Sequence, residues 1–231
     1  PLPVQGLSVE GALSWGEYIY TSVPRMTQTV DNSAEVIFDN QMVPFWATSP
    51  VFRKDAAGQY IYAAADLDES GLPVAGAMPE VEKYQKHYVP STPQLAADLG
   101  LNYRTNSYWF FEIDAQYFAN SYLDMNPLYR TDMAVAGPDK IVTPVEIEYM
   151  TAQEKFAPVF LLNASVGKSW YIDRKYNFGF SLNVQNITNN RGVKTGGYEQ
   201  TRLIDSKSME RYYRFDSKYF YMQGINYMLN L

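Results

Sequence analysis

Thiols, imidazoles and clustered carboxylates are the side chains from which most protein chemistry is assembled, and this sequence is poor in the first two. It holds one histidine, His87, and no cysteine. Disulfides, thiolate metal sites and a thiol nucleophile are therefore excluded. One imidazole also removes most histidine-based metal or triad arrangements. His87 stands among tyrosines and lysines in "KYQKHYVP" and reads as a surface histidine. "DLDES", Asp66 to Ser70, lacks the spacing and the glycine of a calcium loop and reads as a solvated acidic loop. "GVKTGG", Gly192 to Gly197, lacks the phosphate-loop pattern and follows a strand that leads to no helix. The sequons at Asn163 and Asn186 fall inside strand-like segments. The expectation is a protein without a catalytic set, a metal or a cofactor.

Two groups of residues point to binding instead. Aromatics stand in polar links: Phe45 and Trp46 in "VPFW", Tyr60 and Tyr62 in "GQYIY", Tyr212 and Tyr213 in "ERYYRF". Aromatic faces flanked by carboxylates and amides suit sugar rings or peptide side chains, or they pack the links against one another. The second group alternates with apolar residues: Glu10, Asp98, Asn102, Arg104, Glu112, Asp114, Gln116, Asn183 and Gln185.

That alternation defines the elements. In "LAADLGLNYRTNSYWFFEIDAQYF", Leu95 to Phe118, an apolar residue recurs at every second position on either side of a tight polar turn. Successive strand side chains point to opposite faces, so the stretch reads as a hairpin with one apolar and one polar face. Six segments share the pattern: "LSVEGALSWGEYIYTS", the two arms of the hairpin, "FLLNASVGKSWYI", "YNFGFSLNVQN" and "KYFYMQGINYMLNL". Lys168 interrupts one apolar face, and near a membrane boundary its stem would snorkel to the headgroups.

The links between these segments alternate strictly between long and short, with long ones at about 22–92, 125–157 and 188–216. Short turns on one side and long loops on the other are the mark of an up-and-down transmembrane barrel. Runs of roughly 11–16 residues also exceed the ~5–6 of soluble sheets. No apolar run reaches the roughly 18 residues of a membrane helix. A net charge of −6 leaves no overall basic footprint for nucleic acid. A soluble sandwich or lipocalin-like barrel is the competing all-β reading. Six strands cannot close alone, since the smallest membrane barrels need about eight. The missing strands lie upstream or come from other subunits, and the sequence reads best as part of a longer barrel, with the apolar faces toward outer-membrane lipid and the polar ones lining a lumen.

Three stretches resemble the C-terminal barrel region of TonB-dependent outer-membrane receptors, in particular the SusC-like, carboxypeptidase-regulatory-type subgroup. In His87 to Asp132 a proline-led entry, a glycine-containing strand and a hairpin precede "Y-x-x-x-N-P-x-x-R", here Tyr122, Asn126, Pro127 and Arg130. "FSLNVQNITNNRGVKTGGYEQ" resembles the family's strand end, with Ile187, Thr188 and Asn189 replacing Leu-Phe-Asp. "KYFYMQGINYMLNL" resembles its closing strand with a central Gly224, and Leu231 sits on the parity of the usual terminal aromatic. The resemblance implies a plugged barrel of about twenty-two strands in a Gram-negative outer membrane. It also implies energy from the TonB complex acting through the plug, nutrient uptake (oligosaccharide, peptide or chelate) and, in the subgroup, a SusD-like surface lipoprotein. A passive porin or an outer-membrane adhesin shares the same strand pattern.

Overall fold

The computed structural model describes residues 4–29, 35–90, 92–135, 143–173, 175–200 and 214–231. Its strands in chain order are β1 (Leu7–Trp15), β2 (Arg25–Thr29), β3 (Val36–Met42), β4 (Thr48–Phe52), β5 (Val81–Lys86), β6 (Leu95–Arg104), β7 (Trp109–Ala119), β8 (Val159–Ile172), β9 (Tyr176–Gln185), β10 (Lys194–Tyr198), β11 (Lys218–Tyr221) and β12 (Asn226–Asn230). The chain is mainly β and its sheets are antiparallel. Six strands form one sheet in the order β1-β6-β7-β8-β9-β12. This is an open sheet: among the described residues nothing pairs with the outer edge of β1 or of β12.

Pairing carries the alternation of each strand across the whole sheet. One row reads Val9, Leu101, Ile113, Ala164, Val184, Tyr227, all apolar. The next, one residue along, reads Ser8, Asn102, Glu112, Ser165, Asn183, Met228. A slip of one residue between any two strands would mix the faces, so the apolar pattern specifies the register. The apolar face is uncovered: Leu13 is 74% exposed, Phe178 54% and Leu229 59%. Phe180 and Leu182 beside them are half-buried. The 26.4 kDa chain exposes 15549 Å², against roughly 10,600 Å² for a compact monomer of that mass.

The two ends of the sheet differ. At one end β6 and β7 are joined by Thr105–Tyr108, where Thr105 N–H donates to the Trp109 carbonyl at 2.9 Å and Tyr108 takes a φ of 62°. At the same end Ile172 of β8 pairs with Tyr176 of β9, and Lys175 N–H donates to the Ile172 carbonyl at 3.0 Å. All the long links lie at the other end and have structure of their own: hairpins β2–β3 and β4–β5, the pair β10–β11, and the short helices α1 (Asp132–Val135) and α2 (Pro144–Thr151). A reciprocal capping box starts α2, with Thr143 and Glu146 each accepting from the other's backbone N–H, a device worth ~1 kcal/mol. Phe52 of β4, Tyr129, and Ile147 and Met150 of α2 form an apolar core there.

Two segments depart from the sequence reading. The first strand stops at Trp15; beyond one further bond, from Gly16 N–H to the Gln94 carbonyl, the chain pairs next at Ile19, opposite Tyr88. The last segment divides: β11 pairs with β10, and β12 pairs with β9. The change of partner falls at Gly224, where a Cβ would collide with the Asn189 and Arg191 side chains. Asn189 Oδ1 accepts the Ile225 N–H at 3.0 Å, and Asn186 Nδ2 donates to the Gln223 carbonyl at 3.0 Å. Side chains of the β9 exit thus hold the crossover.

Candidate binding site at the link end

All nine alternating polar residues fall on one face. Glu10 lies opposite Gly100, Asp98 opposite Gln116, Asn102 opposite Glu112, Arg104 opposite Phe110, Asp114 opposite Asn163, Asn183 opposite Ser165 and Gln185 opposite Asn226. Gly100 opens space among the acids: a Cβ there would stand 3.0 Å from Asp114 Oδ1 and 3.8 Å from Glu10 Cβ. Ser165 Oγ donates to Glu112 at 2.9 Å. Across the sheet, on the apolar side, the ammonium of Lys168 lies 4.9 Å from the Trp109 ring centre and 5.2 Å from that of Trp170, a contact that lets a cation rest on an apolar surface.

The link layer is organised by buried polar side chains that take up backbone groups. Arg130 and Glu199 are fully buried and paired through both carboxylate oxygens, and Arg214 adds a third hydrogen bond at 2.7 Å. Glu199 also accepts the Asn126 N–H at 2.8 Å, while Arg130 donates to the carbonyls of Asn126 and Ala152. Gln153 accepts from Tyr88 N–H and donates to the Tyr88 and Leu123 carbonyls. Burial pushes the Glu148 carboxyl up, but hydrogen bonds from Phe52 N–H, Lys54 and Tyr60 outweigh it and hold it below its ordinary value. Sequence reasoning missed this network because its partners are remote, 69 residues apart for Arg130 and Glu199. The one available signal was the "N-P-x-x-R" stretch, which supplies both Asn126 and Arg130.

His87 corrects its surface assignment. It is fully buried, with Nδ1 2.9 Å from the Trp46 carbonyl and Nε2 3.1 Å from Ser49 Oγ. Burial lowers its pKa from 6.5 to about 4, against the opposing bond to Trp46. The polar neighbours that made the link look solvated are exposed along all of β5, and His87, the residue just after it, turns inward. The predicted link aromatics serve the same layer. Phe45 packs on the apolar core, Trp46 lies 4.8 Å from the Tyr20 ring, and Tyr60 meets Phe52 edge-on and donates to Glu148. Tyr62 is half-buried. Tyr212 and Tyr213 lie outside the described residues. Asp68 of the acidic loop accepts the N–H groups of Ser70 and Leu72, closing a turn.

Where the links meet the sheet there is a cleft of about 620 Å³, lined by Trp15, Gly16, Glu17, Tyr88, Gln94, Asn120, Tyr122 and Lys155. Gly16 N–H donates to the Gln94 carbonyl at 2.9 Å and Gln94 N–H to the Asn120 carbonyl at 3.1 Å. These three residues therefore form one more cross-strand row, on the parity of the polar face. Tyr122 bridges Lys155 just beyond it. The Tyr88 and Tyr122 rings stack at 4.3 Å and 8°. Burial, then Tyr88, raises the Tyr122 hydroxyl to about 12, so it remains a protonated donor. No protein-family model, curated protein or solved structure matches this chain.

Proposed function

We propose that this chain forms wall and outer mouth of an up-and-down transmembrane β-barrel, a C-terminal portion of a plugged barrel of about twenty-two strands, which imports a nutrient across a Gram-negative outer membrane at the expense of TonB-delivered energy. The observation that carries the reading is the apolar face continued through six strands and left uncovered. A soluble sheet of that width would bury such a face against a second layer, whereas bilayer hydrocarbon requires it. The asymmetry of the ends supports the orientation, with tight turns toward the periplasm and structured links toward the exterior. On this reading the polar face, with Glu10, Asp98, Glu112 and Asp114, lines the lumen and meets the plug and water. The free edges of β1 and β12 continue into further strands, and lipid covers the outside. A SusD-like lipoprotein over the mouth belongs to the same reading by resemblance alone. The work is selective binding and passage, with no covalent step.

Two measurements test it. The intact protein should resist alkaline extraction of membranes, enter detergent and migrate faster on an unboiled gel than after boiling; release into the aqueous phase would refute the barrel. Uptake of its nutrient should cease when TonB is deleted; uptake that persists would make the pore passive.

A further inference from the structure

Two donors in the cleft stand without an acceptor among the described residues, the Gln94 amide and the Lys155 ammonium. Gln94 is 3% exposed; its Oε1 accepts the Tyr18 N–H at 2.6 Å, while its Nε2 has no acceptor. A buried amide N–H left unpaired is destabilising, and an incoming oxygen would relieve it. Lys155 is exposed, its ammonium 5.9 Å from the Tyr122 ring centre, and it pairs with no carboxylate among the described residues. Glu17, the one acid in the lining, is already occupied: Lys86 donates to both its oxygens at 3.1 and 3.3 Å and the Tyr88 hydroxyl to one at 3.3 Å. The formal balance of the cleft and that pair is thus one uncompensated positive charge. Around it stand the stacked rings of Tyr88 and Tyr122.

From this inventory we propose that the cleft is a subsite for an organic carboxylate. Lys155 and Gln94 hold its oxygens, and its carbon frame lies against the tyrosine rings. A cation would meet Lys155 head-on. A neutral polyol would leave that charge unanswered. A volume of about 620 Å³ lies in the range of small-ligand sites. The inference rests on the import reading only for its place at a barrel mouth.

The test measures binding and leaves transport aside, so the two readings fail separately. Purified intact protein in detergent is titrated with hippurate and with Ala-Phe, each against its carboxamide, by calorimetry and by intrinsic fluorescence. Each acid should bind at least about tenfold more tightly than its amide. Lys155→Met, at an exposed position, and Gln94→Glu, which keeps the acceptor for Tyr18 but replaces the free amide with a carboxylate, should each abolish that preference. Lys155→Arg should retain it, and an unchanged far-ultraviolet circular dichroism spectrum shows that each variant is folded. Equal affinity for acid and amide, an undiminished preference in Lys155→Met, or no saturation by any probe at about 10 mM would overturn the proposal.

Discussion

Leu101 and Asn102 are neighbours in β6 that look in opposite directions, and placing the same charge at each separates lipid from water. Leu101 is 43% exposed and lies in the all-apolar row between Val9 and Ile113. Asn102 faces the polar side, opposite Glu112. If hydrocarbon covers the apolar face, Leu101→Arg near the middle of the sheet should cost about 2–4 kcal/mol, the depth-dependent cost of arginine on a barrel's lipid face. That is roughly a 30- to 900-fold change in the folding equilibrium. If water covers it, an exposed site should tolerate the same change within about 0.5 kcal/mol. Asn102→Arg gains a carboxylate across the strand pair and should be neutral to mildly stabilising by a few tenths of a kcal/mol. The assay is equilibrium urea unfolding of the intact protein from phosphatidylcholine vesicles, followed by tryptophan emission. Leu101→Arg within about 0.5 kcal/mol of the parent, or Asn102→Arg the costlier of the two, would refute the assignment of faces.

Three further outcomes follow from the link layer and the sheet. An unfolded His87 takes a proton near pH 6.5 but the folded one only near 4, so its contribution is complete above about 6.5. It falls as pH drops toward 4, by about 3 kcal/mol in all; proteolysis of the links across that window checks it, and His87→Phe should flatten the profile. Glu199→Gln leaves Arg130 and Arg214 buried without their carboxylate, which should cost about 3–5 kcal/mol and accelerate hydrogen exchange in 120–158 while β6 and β7 stay protected. At Gly167 a Cβ would run into the Phe110 ring and the Phe180 carbonyl, so Gly167→Ala should lower stability in urea by about 1–3 kcal/mol.

The sheet was legible because its information is local. Alternation within each segment names the face of every residue, and tight turns such as Thr105–Tyr108 leave only one register that keeps the faces pure. What local pattern could not reveal was where strands exchange partners. The terminal segment keeps one parity on both sides of Gln223 and Gly224, yet the chain crosses from β10 to β9 there, because Asn186 and Asn189, some 36 residues earlier, bind its backbone. The same limit hid the cleft. Gln94 and Asn120 extend the strand pattern by one row, but Tyr88, Tyr122 and Lys155 join them only through pairing of the flanking links. His87 was misjudged by composition: a link rich in Lys and Tyr reads as solvated until its one inward position is known.

The polar core of the link layer follows from the sheet beneath it. A sheet with one uncovered apolar face and one polar face offers the links no core to pack on, so they must make their own. Their apolar cluster is small, centred on Phe52, Tyr129, Ile147 and Met150. Irregular backbone buried around so small a cluster carries N–H and carbonyl groups that no ladder satisfies. Buried and half-buried side chains meet that need: Asn126 accepts from Leu128, Glu148 from Phe52, Glu199 from Asn126, and Gln153 holds both Tyr88 and Leu123. Such bonds add less net stability than equal apolar burial, but they demand specific partners. The link layer is therefore positioned more by directional bonds than by bulk packing. A charge change at Glu199 should disturb the cleft walls without unseating a single sheet strand.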